Sequence, residues 1–303
     1  MGTWLTHCSA LIMFAAVCST TGVNSAEALD TAKIERLTGL KGAMNEQEKV
    51  FKVSSPRTDV KITVDQTPMP PFMGLTSWAA FQTDPKGGVM VMGDLVLFQD
   101  EVNPVMSTLL ESGVAVTALH NHFFFDEPKV YFMHIGGSGE LDTLAAGVKK
   151  ALDKVKEIRV AKPVPGSEFG GKPLTSPSTI TAKTIDDALG VKCASNNGMC
   201  KAVIGRTAKM PCGCDVGKEM GVNTWSAFMG SDDNAVVDGD FAVHETELQP
   251  VLKALRGGGI NIVAIHHHMS EESPRIIFLH YWGKGDTVSL AKTIRNALDQ
   301  THQ

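Results

Sequence analysis

The sequence predicts an α+β fold built twice: two homologous sheet-plus-helix domains arising from an internal duplication. The first observation behind this is a repeated histidine block. Ala118-Leu119-His120-Asn121-His122 runs through Pro128 to His134, Gly137 and Gly139; 146 residues later, Ala264-Ile265-His266-His267-His268 runs through Pro274 to His280, Gly283 and Gly285. Second, further landmarks repeat in the same order. Thr31-Ala32-Lys33 matches Thr181-Ala182-Lys183, Arg57-Thr58 matches Arg206-Thr207, and Trp78 to Phe81 matches Trp225 to Phe228. Gly93-Asp94 matches Gly239-Asp240, Glu101 matches Glu247, and Pro104-Val105 matches Pro250-Val251. Third, each unit reads as strands followed by helices, the pattern of a sheet with a helical layer. A period this long means two domains, or two halves of one pseudo-symmetric body, rather than a solenoid; each unit can hold its own core.

Residues 1–28 read as an export signal. An apolar run from Leu11 to Val17 is too short to span a membrane, and Ala26-Glu27-Ala28 offers cleavage points, although residues 1–10 lack the usual basic start. The mature chain therefore carries no predicted transmembrane domain and is expected to be periplasmic or secreted. Cys18 as a lipid attachment point is disfavoured by Val17 before it, and the loose myristoylation pattern Met1-Gly2 to Thr6 is discounted beside a secretory-like run.

The first repeat domain is expected over 29–160. It begins with a helix near 30–38 that turns Ile34 and Leu37 inward. Residues 51–53 and 60–64 alternate as strands, 68–71 form a stiff turn, and strands at 78–81 and 89–92 flank the turn 84–88. Asp94, following a glycine, is placed at a turn. A helix over 102–110 stops before Gly113, strand 114–119 delivers His120 and His122, and strand 129–135 leads to Gly136-Gly137-Ser138-Gly139 and a helix near 141–155. Residues 161–178, with Pro163, Pro165, Gly166, Gly170, Gly171, Pro173 and Pro177, form a linker. The second repeat domain, 179–303, repeats the order. Helices are expected near 185–189, 248–255 and 289–298, with strands near 201–204, 225–228, 236–243, 260–265 and 275–280.

The composition is that of an ordinary globular protein: 43% hydrophobic, 20% charged, with formal net charge −5. It offers no basic surface for nucleic acid. Cys193, Cys200, Cys212 and Cys214 all lie in the second unit. In an exported chain an even count points to two disulfides with three possible pairings, and Cys212-Gly213-Cys214 is alternatively a thiol metal or redox site.

A repeated core needs matching apolar residues but not matching imidazoles. His120, His122, His134, His266, His268 and His280 are therefore the candidate metal ligands; they are six of the ten histidines. On a strand, residues two apart share a face, so His120 and His122 do. If the next strand is an antiparallel neighbour, His134 starts at its far end and reaches them only if the strands are offset or other elements converge there. Imidazoles suit a transition metal such as zinc or copper. Asp94, Glu101, Asp240 and Glu247 are the candidate acidic partners because both identity and position repeat, with Asp126, Glu127, Glu271 and Glu272 behind them. The same histidines could instead serve acid–base catalysis. The glycines Gly137, Gly139, Gly283 and Gly285, each before a helix, could hold a small anion. No nucleotide cofactor is expected, since no dinucleotide fingerprint or P-loop is present, and a nucleophile elbow is absent as well. The histidine pair lacks the Glu and Gly pattern of a cupin barrel.

The set Arg57-Thr58, Ser77 to Phe81, Gly93-Asp94-Leu95-Val96, Ala118 to His122 and Phe132 to Gly137 resembles the bacterial LppY/LpqO-like family. The resemblance spans nearly all of 30–298. It implies an exported protein with a duplicated domain, and it brings no known substrate or catalytic residue. The expected function is that of an exported binding protein with histidine-lined clefts for a transition metal or small anionic ligand. The alternatives are a metal-assisted hydrolase or other small-molecule enzyme, and a structural envelope protein.

Overall fold

The structure is a computed structural model that describes residues 1–2 and 28–302, so the predicted signal lies almost wholly outside the described residues. The first half supplies strands β1 (Gly42–Asn45), β2 (Val50–Pro56), β3 (Thr76–Thr83), β4 (Val89–Phe98), β5 (Ala115–His120) and β6 (Val130–Gly139). The second supplies β7 (Cys193–Asn196), β8 (Met199–Gly205), β9 (Asn223–Ser231), β10 (Asn234–His244), β11 (Asn261–His266) and β12 (Ile276–Gly285). These form one 12-stranded sheet in the order β1-β2-β3-β4-β6-β5-β11-β12-β10-β9-β8-β7, with antiparallel pairing throughout. The order reads the same from either end once each strand is matched to its repeat partner. The duplication has thus produced two halves of one continuous sheet, related by a pseudo-twofold axis between β5 and β11.

The helices are α1 (Thr31–Thr38), α2 (Gln99–Glu111), α3 (Leu141–Ala161), α4 (Ala182–Leu189), α5 (Leu248–Gly257) and α6 (Thr287–Leu298). They cover one face. Alternate strand residues, such as Val89, Val91, Leu95 and Leu97 on β4, point into a core shared with Val105, Met106 and Leu109 of α2 and with Leu144 and Val148 of α3. That core runs on through Leu119 and Ile265 into the second half, where Val251, Leu255 and Ile294 join it. The opposite face carries two smaller apolar clusters. One packs Ile62 and Leu75 on Val96, Phe98, Val130 and Phe132; the other packs Ala208, Val216 and Val222 on Ala242, Ile276 and Phe278. Most of the expected strand 60–64 is spent in this cover: only Thr63–Val64 pairs, in a small ribbon with Thr67–Pro68 and Asp126–Glu127.

The seam between halves is held reciprocally. The Asn103 side chain on α2 accepts from Ile262 N–H (2.7 Å) and donates to the Ile262 carbonyl (3.1 Å). Its repeat counterpart Gln249, on α5, accepts from Val116 N–H (3.0 Å) and donates to the Val116 carbonyl (2.7 Å). Both clamped residues sit beside a bulge in their strand, at Val116/Ala118 and Ile262/Ala264. A bulge leaves backbone groups unpaired, and burying them without partners would be costly. Each half therefore supplies the amide that satisfies the other's bulge.

Gly93-Asp94 and Gly239-Asp240, expected at turns, lie within β4 and β10. A Cβ at Gly93 would come 2.6 Å from the Trp78 carbonyl oxygen, and one at Gly239 would come 2.4 Å from that of Trp225. The glycine is kept by close packing, and the aspartate after it projects from the face without helices.

A candidate metal centre in each half

The open face places His120 at the end of β5 and His134 in the middle of β6. Their register is Ala118 opposite His134 and His120 opposite Phe132, while on the other side of β6 His134 lies opposite Asp94 of β4. His134 is therefore not at the far end of the hairpin. The long connection 121–129 moves the first strand pair up to His120 and Phe132, and the diagonal brings the two imidazoles together. Their Nε2 atoms are 3.1 Å apart. His122, beyond the end of β5, folds back over Phe132 at 3.4 Å between ring centroids and lies 5.2 Å from the His120 ring.

The second half repeats the register, while its closest imidazole pair is His266 with His268, the counterparts of His120 and His122. His280 lies opposite Asp240 on one side and Ala264 on the other. His266 and His268 bring their Nε2 atoms to 3.1 Å, and His268 stacks on Phe278 at 3.5 Å. The His266 and His280 rings are 4.7 Å apart between centroids. Asp240 Oδ2 is 3.5 Å from His268 Nε2, and its Oδ1 is 3.9 Å from His280 Nδ1. One donor atom each from Asp240, His266 and His268 falls within a 4.8 Å cluster, a spread that one ion could gather.

Charge and burial act together here. Asp94 and Asp240 are 8% and 3% exposed, and each has one carboxylate oxygen, Oδ1, without a hydrogen-bond donor; His266 Nδ1 is unpartnered too. Buried polar groups are ordinarily satisfied; Asp94 and Asp240 share the exception with Asp100 and Glu272, and differ from those two in lying beside the repeated histidines. Burial pushes the Asp94 carboxyl up, against the pull of His134, His122 and His120. It raises Asp240 to about 6, against the pull of His280. Burial, and then the neighbouring imidazoles, lower His266 to about 4, and the same causes lower His122 and His268. At neutral pH the lowered imidazoles are neutral and Asp240 is ionised, the protonation states a divalent ion needs. In the second half, two imidazole nitrogens and one carboxylate oxygen lie close enough to hold one ion of the kind that takes nitrogen and oxygen ligands, whereas among the described residues no first-half set gathers as closely.

Other expected site residues are placed elsewhere. Glu101 is fully buried at the start of α2, where it pairs with Arg57 (2.6 Å) and Arg159 (2.8 Å) and accepts from Phe98 N–H (2.8 Å). Glu247 does the equivalent with Arg206 (2.6 Å) and His244 N–H (2.8 Å). Both carboxylates are spent on a guanidinium and a helix start, so neither is an acidic partner of the histidines. Gly137 and Gly139 lie within β6, and Gly283 and Gly285 within β12, their backbones committed to pairing with β4 and β10. A Cβ at Gly283 would meet Leu290 at 2.8 Å. Of the four, Gly283 is held by close packing, while a Cβ at Gly139 would meet open space; the residue at the N-cap of α3 is Glu140, an anion itself. Asp126 and Glu272 accept from Val130 and Ile276 N–H and so cap the turns into β6 and β12. Cys193 and Cys200 form a disulfide across the β7–β8 hairpin, Cα atoms 5.7 Å apart, whereas Cys212 and Cys214 are free and exposed. One bridge is thus present where two were expected. No described helix is long and apolar enough to cross a membrane.

The stacking platforms Phe132 and Phe278 escaped the sequence reading. The signal that could have found them is their identical position two residues before His134 and His280.

The fold and the site define a duplicated α+β protein with one aspartate–histidine cluster per half. The chain belongs to the family described as Domain of Unknown Function (DUF1259), which matches residues 32–154 and 183–300, one segment in each half. No curated protein matches it. Among solved structures, a trimeric bacterial microcompartment shell protein, PduB, is similar at 11% identity, over 86% of this chain and 89% of that one, with a TM-score of 0.21.

Proposed function

We propose that this is a transition-metal-binding protein with one centre in each half: Asp94, His120, His122 and His134 in the first, Asp240, His266, His268 and His280 in the second. The single observation that carries the reading is the buried, unpartnered carboxylate oxygen set among imidazoles in both copies. Asp100 and Glu272 also carry such an oxygen, but only Asp94 and Asp240 set theirs beside the repeated histidines. The resemblance to the LppY/LpqO-like family supports an envelope setting, periplasmic or secreted, where such a protein would bind the metal itself or a small anion through it. The half-exposed His134 and His280 favour a second reading. An ion held there keeps a position open to solvent, the arrangement of metal-assisted hydrolysis.

Cobalt(II) titration of metal-stripped protein tests the proposal. Two equivalents are expected to develop the visible absorption of a nitrogen-and-oxygen-bound cobalt, falling to one in the His266→Ala/His268→Ala double variant. Uptake that is absent, or unchanged in the variant, would contradict it.

A further inference from the structure

The register across the seam places the two centres on one floor. Leu119 of β5 lies opposite Ile265 of β11, and both point into the helical core. Extending that antiparallel pairing by one residue sets Ala118 opposite His266 and His120 opposite Ala264. Two rows then cross the open face. One reads Asp94, His134, Ala118, His266; the other reads His120, Ala264, His280, Asp240. Between the clusters the floor is made by two half-exposed alanines, where any larger side chain would divide it. The clusters centre over β6 and β12, which are three strand spacings apart, or roughly 14 Å.

That separation rules out the shared-oxygen chemistry of two-metal enzymes, whose ions lie about 4 Å apart. It suits a ligand with a donor at each end. Allowing about 2 Å from each ion to a coordinating oxygen leaves donor groups about 10 Å apart. The apolar alanine floor fits an alkyl spacer between them.

We propose that the two centres work as one bipartite site for an elongated dianion of the α,ω-dicarboxylate class, with one carboxylate on each metal ion and its chain lying over Ala118 and Ala264. This rests on the metal-binding reading above and goes beyond it in joining the halves. It also accounts for the symmetric clamps of Asn103 and Gln249, which hold β5 and β11 side by side and so fix the spacing of the centres.

Two measurements on the full chain test it. In copper(II)-loaded protein, electron spin dipolar coupling is expected to report a separation of roughly 14 Å, lost in His266→Ala/His268→Ala. In zinc-loaded protein, a dicarboxylate series from butanedioate to dodecanedioate is expected to bind best in the middle of the range. That optimum should be at least about tenfold tighter than the matching monocarboxylate, because the second end binds intramolecularly. The Ala118→Phe variant, which fills the floor between His134 and His266, should lose the tenfold advantage, and its cobalt stoichiometry, expected to stay at two, separates a blocked floor from a lost ion. Two bound coppers with no coupling inside about 20 Å, or dicarboxylates no tighter than monocarboxylates, would overturn the bipartite site while leaving metal binding intact. Failure to bind copper at all would overturn both.

Discussion

Asp240→Asn is expected to stabilise the metal-free protein at pH 8 while crippling the second centre. The Asp240 carboxyl is buried, has an oxygen without a donor, and is raised to about 6 from its ordinary 3.8. A raised acid favours folding only while protonated. Its contribution is complete below about pH 4 and is lost as the pH climbs through 6, so at pH 8 the ionised group works against the fold. The shift, reduced by solvent that reaches the open side of the site, corresponds to on the order of 2 kcal/mol. Asparagine keeps the shape and cannot ionise. Urea denaturation of metal-stripped protein should therefore show the variant more stable at pH 8, with the gain vanishing toward pH 4. Zinc affinity of the second half should fall by at least about tenfold, since the anionic ligand is gone. A variant that is less stable at pH 8 and binds zinc normally would mean that Asp240 is a structural residue.

Glu101→Ala should do the reverse, costing stability and sparing the metal. Its carboxylate is wholly buried between Arg57 and Arg159, and the Arg57 guanidinium also lies 4.2 Å from the Phe98 ring. Removing one partner of a buried ion pair strands the other, a loss of about 3–5 kcal/mol. The cap on Phe98 N–H goes with it. Arg57 retains Asp59, 2.9 Å away, which places the cost toward the lower end of that range. Denaturation midpoints should drop sharply, while cobalt stoichiometry in the folded fraction stays at two. Loss of cobalt without loss of stability would return Glu101 to the metal site.

The comparison of Glu101 with Asp94 illustrates what was legible in the sequence. Both repeat in identity and position, and repetition alone could not separate a ligand from an ion-pair partner. The separating signal was Arg57-Thr58, repeated as Arg206-Thr207, which supplies the guanidinium that each glutamate needs. The duplication, the α+β class and the succession of longer elements were legible because apolar periodicity reports the face a residue turns to the core. Strand order is not, since periodicity says nothing about neighbours, and so spacing alone does not reveal the diagonal that joins His134 to His120. The short outer strands β1 and β7 went unrecognised because most of their residues are exposed and carry no alternation. The paired glycines of β6 and β12 resemble an anion cradle in sequence, yet their backbones pair with β4 and β10.

The most direct measurement is the metal content of the protein purified untagged from its native compartment, without added metal, beside the His120→Ala/His122→Ala/His134→Ala variant. The account predicts close to two transition-metal ions per chain, falling to one in the variant. A folded wild-type protein that carries no metal and takes up none on exposure to zinc or copper would contradict it.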